Sequence, residues 1–278
     1  MPISSSEFQY AQELMVSRAG VILAEREKYL AEARLAPLAR LKKLNSVSEL
    51  IAKAQSESDG DLPDLLLDAL LPTESAFFRD APLFDFLKNQ LFKVLEMKRS
   101  RERKIRIWCA GCSSGQEAYS IAMILHRYCS QLLQWDLEIL GTDLSEASIA
   151  KAAEGRFDEV EVHRGVMPML IREYFRADGP RLFVKDDIGN LLRVDRLNLL
   201  GDWATVPPVD VVFLRNVLRY MTPEAQRLVL QKMRQVLRPD GYLFMGSHES
   251  AAEIDTAYHM ISAEKTVYFQ LSSTQSAF

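Results

Sequence analysis

The segment that most constrains this chain is Ile107 to Met123, Ile-Trp-Cys-Ala-Gly-Cys-Ser-Ser-Gly-Gln-Glu-Ala-Tyr-Ser-Ile-Ala-Met. An apolar run breaks into small residues from Ala110 to Gly115, then resumes at helical spacing with Glu117 near its start. A strand that ends in a glycine-bearing turn and opens a helix is how α/β folds cradle nucleotide-like cofactors. The glycines, Gly111 and Gly115, are spaced Gly-x-x-x-Gly, which is not the dinucleotide pattern. The turn also has no lysine to meet a triphosphate. It points to a cofactor with little phosphate, such as S-adenosylmethionine.

The pattern around this segment alternates. Ile105 to Ala110 reads as a strand and Gln116 to Gln131 as a helix. Leu137 to Thr142 reads as a strand ending at Asp143, and Ser145 caps a helix running to about Ala153. Val209 to Leu214 is a strand, Pro223 to Leu237 a helix and Tyr242 to Met245 a strand, with Thr266 to Leu271 as a last, edge strand. Strands alternating with helices predict an α/β fold with a doubly wound, mostly parallel sheet. Arg181 to Leu197 breaks the rhythm: two short apolar runs flank Asp187-Ile188-Gly189-Asn190, predicting a small antiparallel hairpin inserted into the sheet domain.

Residues before Leu71 read as helices only. Phe8, Ala11, Leu14, Met15 and Ala19 recur at helical spacing. Tyr29 to Leu38 suggests a second helix that Pro37 bends or ends, and Ser46 caps a third. Ser56 to Pro63 reads as a turn, Asp64 to Leu71 as a short helix, and the tail from Ser272 as frayed.

Charge excludes some classes. The net charge is −4, which disfavours wholesale nucleic-acid binding. No apolar run is long enough to cross a bilayer, and the first residues lack the features of a signal peptide. Together with three cysteines, an odd number, this predicts a cytoplasmic protein. Arg26 to Lys43 carries six basic residues against two acidic ones, and Lys98 to Arg106 six against Glu102. Either run can be a solvated face or linker.

Two acids stand where a cofactor would need them. Glu117 lies in the first turn of the helix after the glycines, where an acid also suits the helix dipole. Asp143 ends the second strand, a position that commonly accepts hydrogen bonds from ribose hydroxyls. Cys109 and Cys112 form a C-x-x-C without a second ligand pair, and the four histidines show no ligand spacing, so no metal is expected.

Several motifs in fixed order resemble one family, the CheR-type chemotaxis receptor methyltransferases. They are Thr73 to Asp80 (T-E-S-A-F-F-R-D), Trp108 to Met123, Gly141 to Ser145 and Asn198-Leu199-Leu200. Arg215 to Tyr220 (R-N-V-L-R-Y) and Leu237 to Gly246 (L-R-P-D-G-Y-L-F-M-G) complete the set. The resemblance implies a class I methyltransferase, Rossmann-like sheet domain over residues 84–278, with a small β-subdomain inserted at about 160–197. It further implies a helical N-terminal domain over 1–71 and a linker over 72–83 that carries the Phe-Phe-Arg motif.

The family's activity, transfer of methyl from S-adenosylmethionine to chemoreceptor glutamates with S-adenosylhomocysteine as product, is then the expected function. Carried over residue by residue, Thr73, Ser75, Arg79, Gly111, Glu117, Asp143, Leu144, Asn198, Leu199, Asn216 and Val217 would hold the cofactor. Arg79 would also meet the incoming carboxylate, and Tyr220 would point at the reactive methyl group. Arg34, on the second helix, would lie on a basic face that meets the receptor's cytoplasmic domain. The inserted subdomain resembles one that in some members docks a receptor C-terminal pentapeptide. Here its loop at Gly179-Pro180 is short, and the tether is not expected to be needed. The chain departs from the family at Thr73, where Asn is usual, at Leu214, where Cys is common, and at Arg219, where an aliphatic residue is common. Gly246-Ser247-His248-Glu249 also replaces a commoner G-H-S-E or G-A-S-E. Two other readings stay open: a same-fold methyltransferase with another acceptor, and a catalytically weak cofactor-binding regulator.

Overall fold

The computed structural model describes residues 2–57 and 60–272, so all of the tail beyond Ser272 lies outside the described residues. The chain divides into two compact units, Met1–Pro72 with Leu218–Gln226, and Thr73–Val217 with Arg227–Phe278.

The first unit is helical: α1 (Ser5–Ala19), α2 (Lys28–Leu41), α3 (Val47–Ser56) and α4 (Asp61–Leu70). Helix α1 starts at a reciprocal cap in which Ser4 and Glu7 satisfy each other's backbone N–H, and it stops at Gly20 in the left-handed region. Phe8, Leu35, Leu50 and Leu66 are fully buried in its core. Pro37 does not end α2. Ala31, Leu35 and Ala39 are buried on either side of it, and their packing carries the helix past the lost hydrogen bond. Helix α4 begins earlier than the pattern suggests, because Pro63 sits in its first turn, where a missing N–H costs little. The later segment Leu218–Gln226 joins this unit through backbone bonds from Ile22 N–H to Tyr220 (2.7 Å) and from Thr222 N–H to Gly20 (2.8 Å).

The second unit opens with α5 (Ala81–Phe86), a wide turn over Leu87–Leu91 and α6 (Phe92–Lys98). It continues with β1 (Lys104–Ala110), α7 (Gln116–Tyr128), β2 (Asp136–Asp143), α8 (Glu146–Glu154), β3 (Arg156–Asp158), α9 (Glu159–His163), α10 (Pro168–Tyr174), β4 (Phe175–Asp178) and β5 (Arg181–Val184). Then come α11 (Asp186–Gly189), β6 (Leu192–Arg196), β7 (Val209–Leu214), α12 (Pro223–Val236), β8 (Leu237–Met245), α13 (Ala251–Ile254), β9 (Tyr258–Ala263) and β10 (Thr266–Leu271). Helix α7 is shorter than expected and gives way to a tight turn over Ser130–Gln134.

The seven-stranded sheet runs β6-β2-β1-β7-β8-β10-β9. Its first five strands are mutually parallel, and β10 pairs antiparallel with both β8 and β9. All six residues of β7 are buried, as befits a central strand covered on both faces. Chain order reverses between β1 and β7, and in such sheets ligands bind beyond the strand ends at that switch.

Two expectations need correction. Thr266–Leu271 is not the edge strand: β9, absent from the sequence reading, takes that place. The hairpin over Arg181 to Leu197 does not form. Its first half, β5, lies between β3 and β4 in a separate three-stranded antiparallel sheet, while its second half, β6, pairs parallel with β2. A four-residue apolar run does not encode its partner, so the short Asp187–Asn190 link alone misassigned it.

The opposite, N-terminal ends of the strands are stapled by charge. Arg99 Nε donates to Asp210 (2.6 Å), Arg99 Nη2 to Asp240 (2.6 Å), and the Arg106 N–H to Asp210 (2.8 Å). Asp210 is fully buried.

Candidate cofactor and acceptor site

The glycine turn between β1 and α7 is built from left-handed residues. Gly111 has φ 72°, Ser113 φ 50° and Gly115 φ 88°. A Cβ on Gly111 would lie 2.5 Å from Val217 Cγ2, so backbone and Val217 approach too closely for any side chain. The turn is tied to the end of β2: the Gly111 and Cys112 N–H groups donate to the Thr142 carbonyl (2.8 and 2.9 Å), and the Ser113 N–H donates to Asp143 Oδ2 (2.8 Å). Asp143 Oδ1 accepts from the Ser145 N–H at 2.9 Å, while the Ser145 hydroxyl caps α8. Asp143 therefore braces the turn from the end of β2.

The segment before α5 forms the facing wall. Phe77 is buried between Phe157 and Phe175, edge to face at 4.9 and 5.7 Å. The Phe78 N–H donates to Ser120 Oγ (2.9 Å), and the Thr73 carbonyl accepts from Ser113 Oγ (3.2 Å). Phe78 (φ 49°) and Asp80 (φ 69°) both occupy the left-handed region, one on each side of Arg79. Non-glycine residues there cost of order 1 kcal/mol or more, and such strain gathers where a side chain must be aimed.

These elements enclose a cleft lined by Ser75, Arg79, Gly111, Glu117, Arg215 and Asn216, among others. Glu117 is largely buried, at 16% side-chain exposure, and its carboxylate contacts the Arg215 guanidinium directly. Arg215 also contacts Asp80. Burial pushes the Glu117 carboxyl above its ordinary pKa, with the Arg79 charge pulling the other way. Burial likewise pulls the Arg215 guanidinium down to about 10, and Arg79 adds to that. Arg79 itself is exposed, and among the described residues no carboxylate forms an ion pair with it. Asn216, at φ 58°, is held by its N–H donating to Glu249 Oε2 (2.7 Å), which also accepts from the Gly246 N–H (2.8 Å).

The remaining candidates fall outside that lining. Leu144 accepts from Arg196 Nε through its carbonyl (3.1 Å), and the Leu197 N–H donates to the Asp143 carbonyl (2.9 Å). Asp143 ends β2 and Leu144 follows it, while Asn198 and Leu199 follow the adjoining strand β6. Arg34 and Tyr220 belong to the first unit. Arg34 Nη1 donates to the Leu70 carbonyl (2.9 Å) and so helps to close the end of α4. Tyr220 is half-buried under the exposed Arg219, whose guanidinium lies 5.3 Å from its ring centre.

Sequence reasoning missed Arg215 and Glu249 as members of this site. Both lie in motifs quoted above, Arg215 at the start of Arg215 to Tyr220 and Glu249 at the end of Gly246 to Glu249, but neither was given a role; Arg215 is also a charge directly after a fully buried strand. The Cys109 and Cys112 thiols are both buried and pushed well above their usual pKa by desolvation, which makes them unreactive. No group of three or more potential ligands is placed to hold a metal ion among the described residues.

A cleft at the switch point of a parallel sheet, with a close-approach glycine and a buried acid, is the seat of a nucleoside-type cofactor. The family model described as "CheR methyltransferase, SAM binding domain" matches residues 73–267. The chain is 31% identical over 274 residues to chemotaxis protein methyltransferase 1 of Pseudomonas aeruginosa, covering 97% of this chain and 99% of that one. It is 32% identical over 272 residues to the chemotaxis protein methyltransferase of Vibrio parahaemolyticus, covering 97% and 98%. The chain belongs to the CheR methyltransferase family, and the second unit carries that family's S-adenosylmethionine-binding domain.

Proposed function

We propose that this protein transfers methyl from S-adenosylmethionine to glutamate side chains in the cytoplasmic domain of chemoreceptors, and that it works in the cytoplasm. Its relatives in Pseudomonas and Vibrio are named for chemotaxis, which supports receptors as the partner class. The observation that carries the carboxylate acceptor is Arg79: an exposed guanidinium with no ion-pair partner among the described residues, on the wall of the cleft that holds Glu117.

The cleft suits the cofactor's chemistry. Glu117 already meets the Arg215 guanidinium, and a second cation such as the cofactor's α-ammonium would share that desolvated carboxylate. The lack of a side chain at Gly111 lets Val217 close against the turn backbone. Thr73, Ser75, Asn216 and Val217 would complete the methionine side, with Asp143, Leu144, Asn198 and Leu199 on the adenosine side. The bound cofactor supplies an electrophilic methyl on a sulfonium, which leaves as a neutral thioether.

A glutamate acceptor is already ionised at neutral pH and needs no general base. The chain's contribution is therefore alignment and removal of water from the acceptor oxygen. Arg79 attracts and orients the carboxylate; a single hydrogen bond from the Tyr220 hydroxyl would fix the attacking oxygen without quenching it. Arg34 and its basic neighbours would favour acidic receptor helices. We also propose that a receptor C-terminal pentapeptide is not required, since β4 and β5 are joined only by Gly179 and Pro180.

Incubation with methyl-labelled S-adenosylmethionine and receptor-containing membranes tests the reading. Label in the receptor band, lost in alkali as an ester must be, is the expected result. Label in another protein would move the acceptor elsewhere, and cofactor binding without transfer would reduce the protein to a regulator.

A further inference from the structure

The turn after β6, proposed above to face the adenosine, is contacted by a lysine far away in sequence. After β6, the Gly201 N–H donates to the Asn198 carbonyl (2.9 Å) and the Leu200 N–H to Asn198 Oδ1 (2.9 Å). One end of the turn is tied to β2 through Leu197 and the Asp143 carbonyl. On its other side the carbonyls of Leu199 and Gly201 converge on a single atom, Lys232 Nζ of α12: 3.3 Å from the former and in close contact with the latter. The Leu199 carbonyl also accepts from Trp203 Nε1 at 3.2 Å.

The same ammonium lies 4.5 Å from the centre of the Trp203 ring. Trp203 packs edge to face on Trp108 at 4.9 Å, and Trp108 Nε1 donates to Thr142 Oγ1 at 2.9 Å. Thr142 is the residue whose carbonyl receives the Gly111 and Cys112 N–H groups. One connected set of contacts thus runs from Lys232 through two indoles to the glycine turn.

Two carbonyl dipoles aimed at one point repel unless a cation sits between them. An ammonium is compact and carries three donors, so it can meet two carbonyls and still face an aromatic ring. An apolar residue of the same length would fill the space and leave both carbonyls facing each other. Solvent can reach the exposed Gly201 carbonyl but is a weak substitute at the Leu199 carbonyl, because Leu199 and Trp203 are both buried.

We infer that Lys232, together with Trp203, is a positioning residue that sets the shape of the adenosine-side wall at Asn198 and Leu199 and thereby the affinity for S-adenosylmethionine and its product. The inference rests on the proposed role of Asn198 and Leu199 in holding the adenosine.

Calorimetric titration of the full-length protein with S-adenosylhomocysteine tests it. In Lys232→Met the Kd rises about ten-fold, as expected for loss of hydrogen bonds to a charged group. Turnover at saturating S-adenosylmethionine stays within about two-fold, and the KM for the receptor does not move. Lys232→Arg restores most of the affinity because it can reach both carbonyls. Trp203→Phe, which keeps a ring but removes the donor to Leu199, weakens binding about three-fold and stands in if Lys232→Met fails to fold. A Kd in Lys232→Met equal to that of a tightly binding wild type would overturn the inference and leave the proposed function intact. A wild type that does not bind S-adenosylhomocysteine at all would overturn both.

Discussion

Replacing Gly111 with alanine tests whether the glycine turn is built as described. Two costs follow from its geometry. Gly111 holds φ 72°, and an L-residue there costs about 1–2 kcal/mol. The new Cβ would stand 2.5 Å from Val217 Cγ2 and 3.5 Å from Cγ1, an overlap of the kind that costs about 1–3 kcal/mol. The sum is about 2–5 kcal/mol, which for a unit of this size lowers Tm by about 5–15 °C. Relaxation by moving Val217 would narrow the cleft, so affinity for S-adenosylhomocysteine falls as well. The two costs separate in a double-mutant cycle read by urea unfolding. Val217→Ala removes both methyls and leaves Val217 Cβ at 3.6 Å, an ordinary contact. The double variant should therefore recover the steric part and retain the backbone part, about 1–2 kcal/mol. Additive losses in the double variant, or a loss below about 0.5 kcal/mol in Gly111→Ala alone, would refute the reasoning.

Four further outcomes follow. Arg79→Ala and Tyr220→Phe should each cut receptor methylation at least about ten-fold while the far-ultraviolet spectrum and Tm stay near wild type, since ordinary surface substitutions cost under about 0.5 kcal/mol; wild-type rates in both would remove them from the mechanism. Asp210→Ala removes one of the two carboxylates that hold the buried Arg99 guanidinium, the other being Asp240, and takes the acceptor from the Arg106 N–H; it should cost about 1–3 kcal/mol in urea unfolding, and an unchanged midpoint would remove this staple from the account. Because the Glu117 carboxyl is raised, the free protein holds that proton above the usual carboxylate range, and a bound ammonium expels it. Affinity for S-adenosylhomocysteine should then rise from pH 5 toward 8 and stay flat in Glu117→Gln; an unchanged slope in the variant places the titrating group elsewhere. Calorimetry with a receptor C-terminal pentapeptide should give no heat of binding, and clear micromolar affinity would show that the tether is used.

Much of this molecule is legible in the chain because local forces decide it. Ser46 caps α3 through the Glu49 N–H (3.1 Å), and Ser145 caps α8 through the Ser148 N–H (3.1 Å); both need only neighbouring residues. The six-residue apolar run of β7 and the small residues from Ala110 to Gly115 announce a buried strand and a close-approach turn on steric grounds. Pro37 misled because packing on either side outweighed a local rule, and the hairpin misled because strand partners are chosen over long distances.

The sequence by itself determined the alternation of strands and helices, the glycine turn and the acids placed around it, since each rests on short-range geometry and on the pattern of buried residues. Tertiary structure alone decided the partners. Arg215 meets Glu117 across 98 positions, Lys232 meets Leu199 across 33, and Asp210 meets Arg99 across 111. A side chain's charge is written in the chain, but the desolvation that gives the charge its strength, and the opposite charge that satisfies it, exist only once distant segments are packed together.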